Sequence, residues 1–161
     1  MQGRLLESLR IVPAILPKDI TGAVQNGDWV NVRNWKRVLT VIQQGAWAGG
    51  TPAVTFEQAT DASGSGAKAL SYSERWDATA ITNDVPARTA VTSDTSNLAN
   101  AANGLMLVEH HAQDLDVNNG FVWLRVNVAS PGSNTDLLSA HYVLGSGAYS
   151  GKPSTLPTAI A

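Results

Sequence analysis

Few residues of this chain have the types and the spacing that catalysis or ligand binding needs. Gly64-Ser65-Gly66-Ala67-Lys68 comes nearest to a phosphate-binding loop. Such a loop has two glycines five residues apart, then Lys and Ser or Thr at the start of a helix. Here Ala69 follows Lys68 and a strand pattern comes next, while Gly151-Lys152 is followed by Pro153. The spacing therefore does not favour nucleotide binding.

The acidic run Asp114-x-Asp116-x-Asn118 resembles the start of a calcium loop. In such a loop glycine comes directly after the third ligand, and glutamate stands at position twelve. This chain has Asn119 and Arg125 at those two places. We interpret the run as a turn whose carboxylates accept hydrogen bonds from backbone N–H groups, and we predict no metal site.

The three histidines are His110, His111 and His141. Adjacent residues of a strand point to opposite faces, so His110 and His111 are poorly placed to chelate one ion. His110 and His141 would face each other if their strands paired, but two histidines without a placed carboxylate are an incomplete site. We expect ordinary sheet residues. A small hydrolase, the alternative, would need a buried polar constellation with a shifted pKa around one of them; the chain has no Gly-x-Ser-x-Gly elbow.

The chain is rich in tryptophan, with five Trp against two Phe and three Tyr. These are Trp29, Trp35, Trp47, Trp76 and Trp123. Aromatic faces of this kind stack on sugar rings, and they also anchor cores and subunit interfaces. We favour core and interface. The carbohydrate-binding alternative requires Trp47 or Trp76 to be exposed in a concave site.

Composition limits the classes of partner. The 161 residues fit one domain. Charged residues are only 15% and the net charge is −2, so we expect no nucleic-acid partner. The one basic cluster, Arg33, Trp35, Lys36 and Arg37, is interpreted as a solvated strand edge. No cysteine is present for a disulfide or thiolate site. No apolar run approaches the ~20 residues of a membrane span, so no membrane partner is expected. So low a charge favours a surface partly covered by another protein.

The elements that would position these residues are short strands separated by turn residues. We predict a first strand around Trp29, Val30 and Val32, and then strands over Val38–Gln44, Ala53–Gln58, Lys68–Trp76, Leu105–His111, Phe121–Val128 and Leu137–Leu144. Asn119-Gly120 favours a tight turn before the strand at Phe121. Even spacing of short strands is typical of a mainly β fold, either a single antiparallel β-sandwich or a small β-barrel.

The prolines and the small polar residues set the expected domain limits. Pro13 and Pro17 rule out a long helix and predict a short helical turn or an extended N-terminal arm over residues 1–28. This arm either folds back onto its own domain or docks on a neighbouring subunit. The β-rich domain follows over 29–144, and an extended C-terminal tail over 145–161. Residues 77–103 predict a long loop, with a short strand near 90–92 or a short helix near 96–102.

Several stretches resemble small virion proteins of tailed bacteriophages. They are Asp19–Ala23 with Asp28–Trp35, Val54–Asp61, Gly64–Leu70, Leu115–Phe121 and a last β run that ends near Tyr149. The resemblance covers most of the chain from Asp19 to Tyr149. Its most specific part is Glu57-Gln58-Ala59 followed by Gly64-x-Gly66-Ala67-Lys68-Ala69-Leu70.

The resemblance implies a non-enzymatic capsid decoration, or cement, protein on the virion surface, with no catalytic residue and no cofactor. The implied partner is the major capsid protein, and the chain would act as a homo-oligomer, with trimers suited to three-fold positions. Neck and tail components are the alternative placements. We expect the two arms and the long loop over 77–103 to make the contacts. The candidate contact residues are Leu5, Leu6, Leu9, Ile11, Trp47 and Tyr149. Deletion of residues 1–17 is then expected to weaken incorporation and to leave the domain folded.

Overall fold

The computed structural model describes residues 5–79, 85–98 and 101–147 of the chain. One helical turn, Leu5–Ser8, precedes the strands, and two 3₁₀ turns, Ala112–Asp114 and Val117–Asn119, lie between the tenth and the eleventh strand. The strands are β1 Leu9–Asp19, β2 Gln25–Asn26, β3 Val30–Asn31, β4 Trp35–Trp47, β5 Ala53–Ala59, β6 Lys68–Ala69, β7 Glu74–Ala78, β8 Ala87–Ala90, β9 Thr95–Asn97, β10 Leu105–His111, β11 Trp123–Val128 and β12 Asp136–Gly147.

The described strands form two antiparallel sheets. Sheet A has the order β1-β12-β4-β10-β7-β8, and sheet B has the order β2-β11-β5-β6, with β3 also paired to β11 and β9 to β5. Sheet A ends at β1 on one side and at β8 on the other, so the described strands form a sandwich and not a closed barrel. This confirms the mainly β expectation and decides between its two alternatives.

The core lies between the sheets because the long strands alternate. In β4 the side chains of Val38, Thr40 and Ile42 are buried, while those between them are partly or fully exposed. The other large fully buried side chains come from both sheets, and include Tyr142, Leu144 and Met106 of sheet A and Phe56 and Leu124 of sheet B. A period of two buries one face of each strand, as the sequence pattern predicted.

Tyr142 joins the two sheets through its hydroxyl. The side chain is fully buried, its oxygen accepts a hydrogen bond from the Val126 N–H at 2.9 Å, and its O–H donates to the Asp28 carbonyl at 3.1 Å. Burial raises the pKa of the Tyr142 phenol above its usual value, which keeps this donor protonated. The contact fixes sheet A against the chain that enters sheet B.

From Leu9 onward the N-terminal segment folds onto its own domain, and it is not the separate docking arm that was the other alternative. The segment Leu9–Asp19 is an edge strand of sheet A, in register with β12 from Leu9↔Gly145 to Asp19↔Leu137. Val12, Ala14 and Ile15 of this strand, and Ile20 after it, are buried in the core. The prolines end helical structure, but they are tolerated at a sheet edge, where part of the backbone needs no partner.

The boundaries of three further segments differ from those that the sequence predicts. The strand predicted over Lys68–Trp76 is two strands, β6 and β7, which belong to different sheets. The loop expected over 77–103 holds the strands β8 and β9 in its described part. The tail expected from residue 145 begins inside β12, which runs to Gly147, and residues 148–161 lie outside the described part of the chain.

The turn predicted at Asn119-Gly120 is present but does not close a hairpin. Gly120 has a positive φ of 84° and follows the second 3₁₀ turn. The strands on either side, β10 and β11, belong to different sheets, so the segment carries the chain from sheet A to sheet B. A left-handed residue is needed for this reversal, and glycine adopts it without strain.

Candidate contact surface and cavity

The contact residues predicted near the N-terminus lie at one edge of sheet A. Leu5 stands on the helical turn with 75% of its surface exposed, Leu9 is half-buried at the start of β1, and Ile11 is 58% exposed. The side chain of Leu6 and the whole of Tyr149 lie outside the described part of the chain. The structure therefore brings three of the predicted residues to one edge.

The outer side of sheet A continues this edge as an apolar surface. The register places Ile11 beside Val143 and Val143 beside Leu39, and it places Val41 beside Leu107. These side chains point away from the core, because each of Leu39, Val41, Leu107 and Val143 lies between two buried residues and Ile11 precedes buried Val12. We call the set Ile11, Pro13, Leu39, Val41, Leu107 and Val143 the apolar face. Half-buried His141 separates Pro13 from Val41, and Trp76 of β7 lies beside Leu107.

The sequence did not single out Leu16 and Leu137, which extend this side of the sheet. Leu16 of β1 is 68% exposed and Leu137 of β12 is 41% exposed. The signal was present, since Leu16 follows buried Ile15 in a run of apolar residues. The exposure of Leu16 could be predicted from this run only if the segment was recognised as a strand.

Strand β1 is an edge that offers few hydrogen bonds to another strand. Pro13 and Pro17 have no N–H donor, and the pairing with β12 shifts register twice, between Pro13 and Ile15 and between Ile15 and Lys18. Irregularities and prolines of this kind protect edges from pairing with other chains. Contacts at this edge must therefore come from side chains rather than from an added strand.

Trp47 lies at the other end of the sheet from Leu9. It pairs in register with Asp136, whereas Leu9 pairs with Gly145. Its indole N–H donates to the Gly50 carbonyl at 3.3 Å, which fixes the turn after β4. The turn is tight, since a Cβ atom on Gly50 would lie 2.5 Å from the Pro131 carbonyl oxygen. The structure therefore separates Trp47 from the other predicted contact residues.

The remaining tryptophans do not form a sugar-stacking platform in a cavity. Trp29 and Trp35 are buried, while Trp76 and Trp123 are half-buried. Four cavities on the surface of the described residues, one of them the cavity beside His110 described below, have no tryptophan in their lining. The concave Trp47 or Trp76 site that the carbohydrate alternative required is thus absent from these cavities.

The glycine-rich loop before β6 is closed by one carboxylate. Asp61 accepts hydrogen bonds from the N–H groups of Ser63 at 2.9 Å and Ser65 at 3.0 Å. Hydrogen bonding by the side chain and then the backbone of Ser65 holds the pKa of the Asp61 carboxyl below its usual value. Lys68 turns away to Asp116, with Nζ to Oδ2 at 2.5 Å. The N–H groups of Ser63 and Ser65 and the ammonium group of Lys68 are therefore engaged within the chain.

The acidic run after β10 is likewise used inside the chain. The Asp114 carboxylate accepts from the His111 N–H at 2.7 Å, and the Asp116 carboxylate accepts from Lys68 and from the Asn119 side chain. The hydrogen bond from Lys68 lowers the pKa of Asp116. Within residues 5–79, 85–98 and 101–147, no group of three or more His, Asp or Glu is placed to hold a metal ion.

The basic cluster is divided by burial. Trp35 is buried, and Arg37 pairs with Glu109 of the neighbouring strand at 2.7 Å. A platform for single-stranded nucleic acid stacks bases on exposed aromatic rings beside free cations. The buried ring and the paired guanidinium do not provide that arrangement.

His110 and His141 do not face each other. Strand β4 lies between their strands, and His110 points into the sandwich with 1% exposure while His141 is half-buried on the outer side. Neither ring nitrogen of His110 has a hydrogen-bond partner within the described structure. Burial lowers the pKa of His110 to about 4, so the ring is neutral at pH 7.

A cavity of about 740 Å³ opens beside His110, between the edges of the two sheets. Pairing between β10 and β7 ends at Leu107 and Trp76, so the cavity lies where these strands separate. Four parts of the chain line it: Gln58 of β5, residues 69–74 from the end of β6 to the start of β7, residues 91–94 between β8 and β9, and residues 109–111 of β10 with Asp114 after it. Sequence analysis missed this site, because the histidine was expected to be an ordinary sheet residue.

Comparison with known proteins gives a structural likeness and no sequence family. No protein-family model matches the chain, and no curated protein matches it. The fold is similar to that in the crystal structure of the SPBc2 prophage-derived protein YomS, with a TM-score of 0.50 and 11% sequence identity. The match covers 86% of this chain and 93% of that chain, so it extends over nearly the whole sandwich. At this identity the likeness shows a shared fold.

Among the described residues, no helix has the length and apolar character to cross a membrane.

Proposed function

We propose that this chain is a non-enzymatic virion protein of a bacteriophage that decorates the capsid and stabilises it by bridging major capsid subunits. The fold shared with a prophage-derived protein supports the phage assignment. The resemblance of Asp19–Tyr149 to small virion proteins supports the placement on the head.

The apolar side of sheet A is the observation that carries the proposal. Leu5, Ile11 and Leu16 are each more than half exposed, and Ile11 belongs to the apolar face, which spans the four strands β1, β12, β4 and β10. Apolar surface of this kind on a folded domain marks sites of contact with other proteins. Because β1 is a poor template for an added strand, the partner is a surface and not an extended peptide.

Weak contacts are sufficient to hold such a protein on the capsid when many copies bind to a regular lattice. Each copy that spans two subunits gains avidity, because its second contact forms within an existing complex. Copies that also contact each other, as in a trimer at a three-fold position, would add to this effect. A rigid sandwich suits the role, since its side chains are positioned before binding.

Cosedimentation with purified heads tests the proposal. The heads come from the phage that carries this gene and are prepared without this protein. Wild-type protein is expected to sediment with them and to give regular density on the head lattice in electron micrographs. Ile11→Asp should reduce the bound amount at least tenfold, because it places a charge in the apolar contact.

Val24→Asp is the matched control for this substitution. Val24 is 60% exposed, close to the 58% of Ile11, but it precedes β2 of sheet B. It should bind as the wild type does. Equal binding of both variants would contradict a contact through sheet A. Density at the neck or tail in place of the head would favour those placements and would discard the decoration role.

Carbohydrate binding is the second candidate function. It has less support than decoration, because no tryptophan lines the cavity beside His110. A hydrolase at His110 has less support, because no hydroxyl or carboxylate of the described chain is hydrogen-bonded to its ring.

A further inference from the structure

A second cavity, of about 350 Å³, lies where the chain passes between the two sheets, before β4 and after β10. Its apolar walls are the side chains of Val32, Ala112, Val117, Phe121 and Val122. Arg33 is the one charged residue in this lining, and no Asp or Glu belongs to it. The cavity therefore combines apolar walls with a single cation.

The backbone around Arg33 is fixed, while its guanidinium group has no carboxylate partner among the described residues. The Arg33 N–H donates to the Asn31 side chain at 2.9 Å, and the Trp35 N–H donates to the Val32 carbonyl at 2.9 Å. Arg33 is exposed. By contrast, carboxylates pair with the arginines Arg37, Arg75, Arg88 and Arg125. A guanidinium group binds a carboxylate through two parallel N–H donors, so Arg33 is available to an acidic partner.

Hydrogen bonds also fix the apolar walls of this cavity. The Val32 N–H donates to the Val122 carbonyl at 2.9 Å, which ties the segment before β4 to the segment before β11. The Gly120 N–H donates to the Val117 carbonyl at 3.0 Å and closes the second 3₁₀ turn. Walls that are positioned before binding need little further ordering, which favours affinity.

The cavity lies at the end of the sandwich where β1 begins. In register, Leu9 pairs with Gly145, Gly145 with Arg37, and Arg37 with His111, which directly precedes Ala112 of the cavity lining. Three strand spacings of ~4.8 Å separate Leu9 from His111 by about 14 Å. A standard interface of ~800 Å² per partner is roughly 28 Å across. A partner that contacts Leu9 therefore also reaches this cavity.

We propose that this cavity receives one large apolar side chain of the partner protein, and that a carboxylate beside that side chain pairs with Arg33. The inference rests on the proposed capsid contact and adds an anchor to it. Apolar walls disfavour a polar side chain, which would lose its hydrogen bonds to water on entry. The unpaired guanidinium favours an acidic neighbour over a basic one. A volume near the lower limit of the ~300–1,000 Å³ of ligand pockets suits a single side chain.

Two small probes test this chemistry without any capsid. 3-Phenylpropanoate has an apolar ring and a carboxylate, and 3-phenylpropanamide has nearly the same shape without the charge. Each is titrated into ¹⁵N-labelled protein, and the backbone amide signals of Val117, Gly120 and Phe121 are followed. The carboxylate is expected to bind at least fivefold more tightly than the amide. Arg33→Gln should abolish this preference.

Lys36→Gln is the matched control for Arg33→Gln. Lys36 is an exposed cation of the same chain segment, and it lines none of the four cavities. This variant should keep the preference for the carboxylate. A preference of less than fivefold in the wild type, or one that survives Arg33→Gln, would overturn the proposal.

Cosedimentation with heads then identifies the source of the anchor. Arg33→Gln should reduce the bound amount at least fivefold, and Lys36→Gln should bind as the wild type does. A smaller loss for Arg33→Gln, together with a preference for the carboxylate probe, would overturn the proposal and assign the cavity to a small free carboxylate. If wild-type protein did not sediment with heads, the decoration role would fail. The probes would still decide whether the cavity accepts an acidic apolar group.

Discussion

At the scale of single residues, His110 makes the stability of the fold depend on pH. Its pKa falls from the ordinary 6.5 to about 4 on burial, whereas nearby Asp114 raises it and His111 lowers it further. Between pH 4 and pH 6.5 the His110 ring is mostly protonated in the unfolded chain and mostly neutral in the folded chain. The free energy of unfolding is therefore highest, as far as His110 determines it, above pH 6.5, and it decreases as the pH falls towards 4.

Replacing His110 with Phe should remove this dependence. A shift of that size corresponds to about 3 kcal/mol of unfolding free energy between pH 7 and pH 4. Wild-type protein should lose about that much more stability than His110→Phe over the interval, measured by urea unfolding at each pH. Carboxyls with lowered pKa values, such as Glu57, also destabilise the fold in acid, but they contribute equally to both proteins. Parallel curves for the two proteins would show that the ring is not held neutral by burial.

Residue-scale features divide into those that local pattern reveals and those that packing creates. The exposure of Leu5 and Ile11 was predicted, because apolar residues beside prolines at a chain end suggest a contact. The unsatisfied ring of His110 was not, because it depends on Phe56 and Tyr72, which come from the other sheet and from a distant connection. No spacing within the sequence encodes that neighbourhood.

At the scale of elements, long strands were predicted far better than short ones. Leu105–His111 is found with the predicted limits, since seven residues give a clear alternation. Strands β2 and β6 have two residues each, too few for any period. The alternation through Leu70 and Tyr72 predicted one strand where there are two, because both side chains are buried while the chain passes between sheets.

Strand β1 is the element whose role changed most, and its deletion gives a direct test. Removal of residues 1–17 takes away an edge strand and the buried side chains of Val12, Ala14 and Ile15. Burial of a Val or Ile side chain contributes roughly 1.5–3 kcal/mol, and domains are stable by only ~5–15 kcal/mol. The truncated chain should lose its cooperative thermal transition and its near-ultraviolet circular dichroism.

Removal of residues 1–8 is the matched truncation. It takes away the helical turn with exposed Leu5 and leaves β1 in place. This protein should keep the cooperative transition, within ~1 kcal/mol of the parent, since exposed residues contribute little. A folded 1–17 deletion would restore the original view of this segment as a detachable arm, and with it the expectation that incorporation can be abolished without unfolding.

At the scale of the whole molecule, the first and last described strands are neighbours. Leu9 pairs with Gly145, so the described chain begins and ends at the same end of sheet A. Both β1 and β12 must be present before this edge can form, which makes the fold depend on contacts between distant parts of the chain. Non-local pairing of this kind is typical of all-β proteins that fold in milliseconds to seconds.

A circular permutant tests whether residues 9–147, with their two ends joined, are sufficient to form the sandwich. Gly147 is joined to Leu9 by a linker of about six Gly and Ser residues, and new ends are opened between Ser65 and Gly66, both exposed. Every strand pair survives this change, so the permutant should unfold cooperatively within ~2 kcal/mol of the parent. A second permutant, opened between Thr40 and Val41, interrupts β4 at its pairing with β12 and β10, and it should not fold. If the first permutant also failed, the sandwich would need chain beyond Leu9–Gly147, or an unbroken loop at Ser65, for its stability.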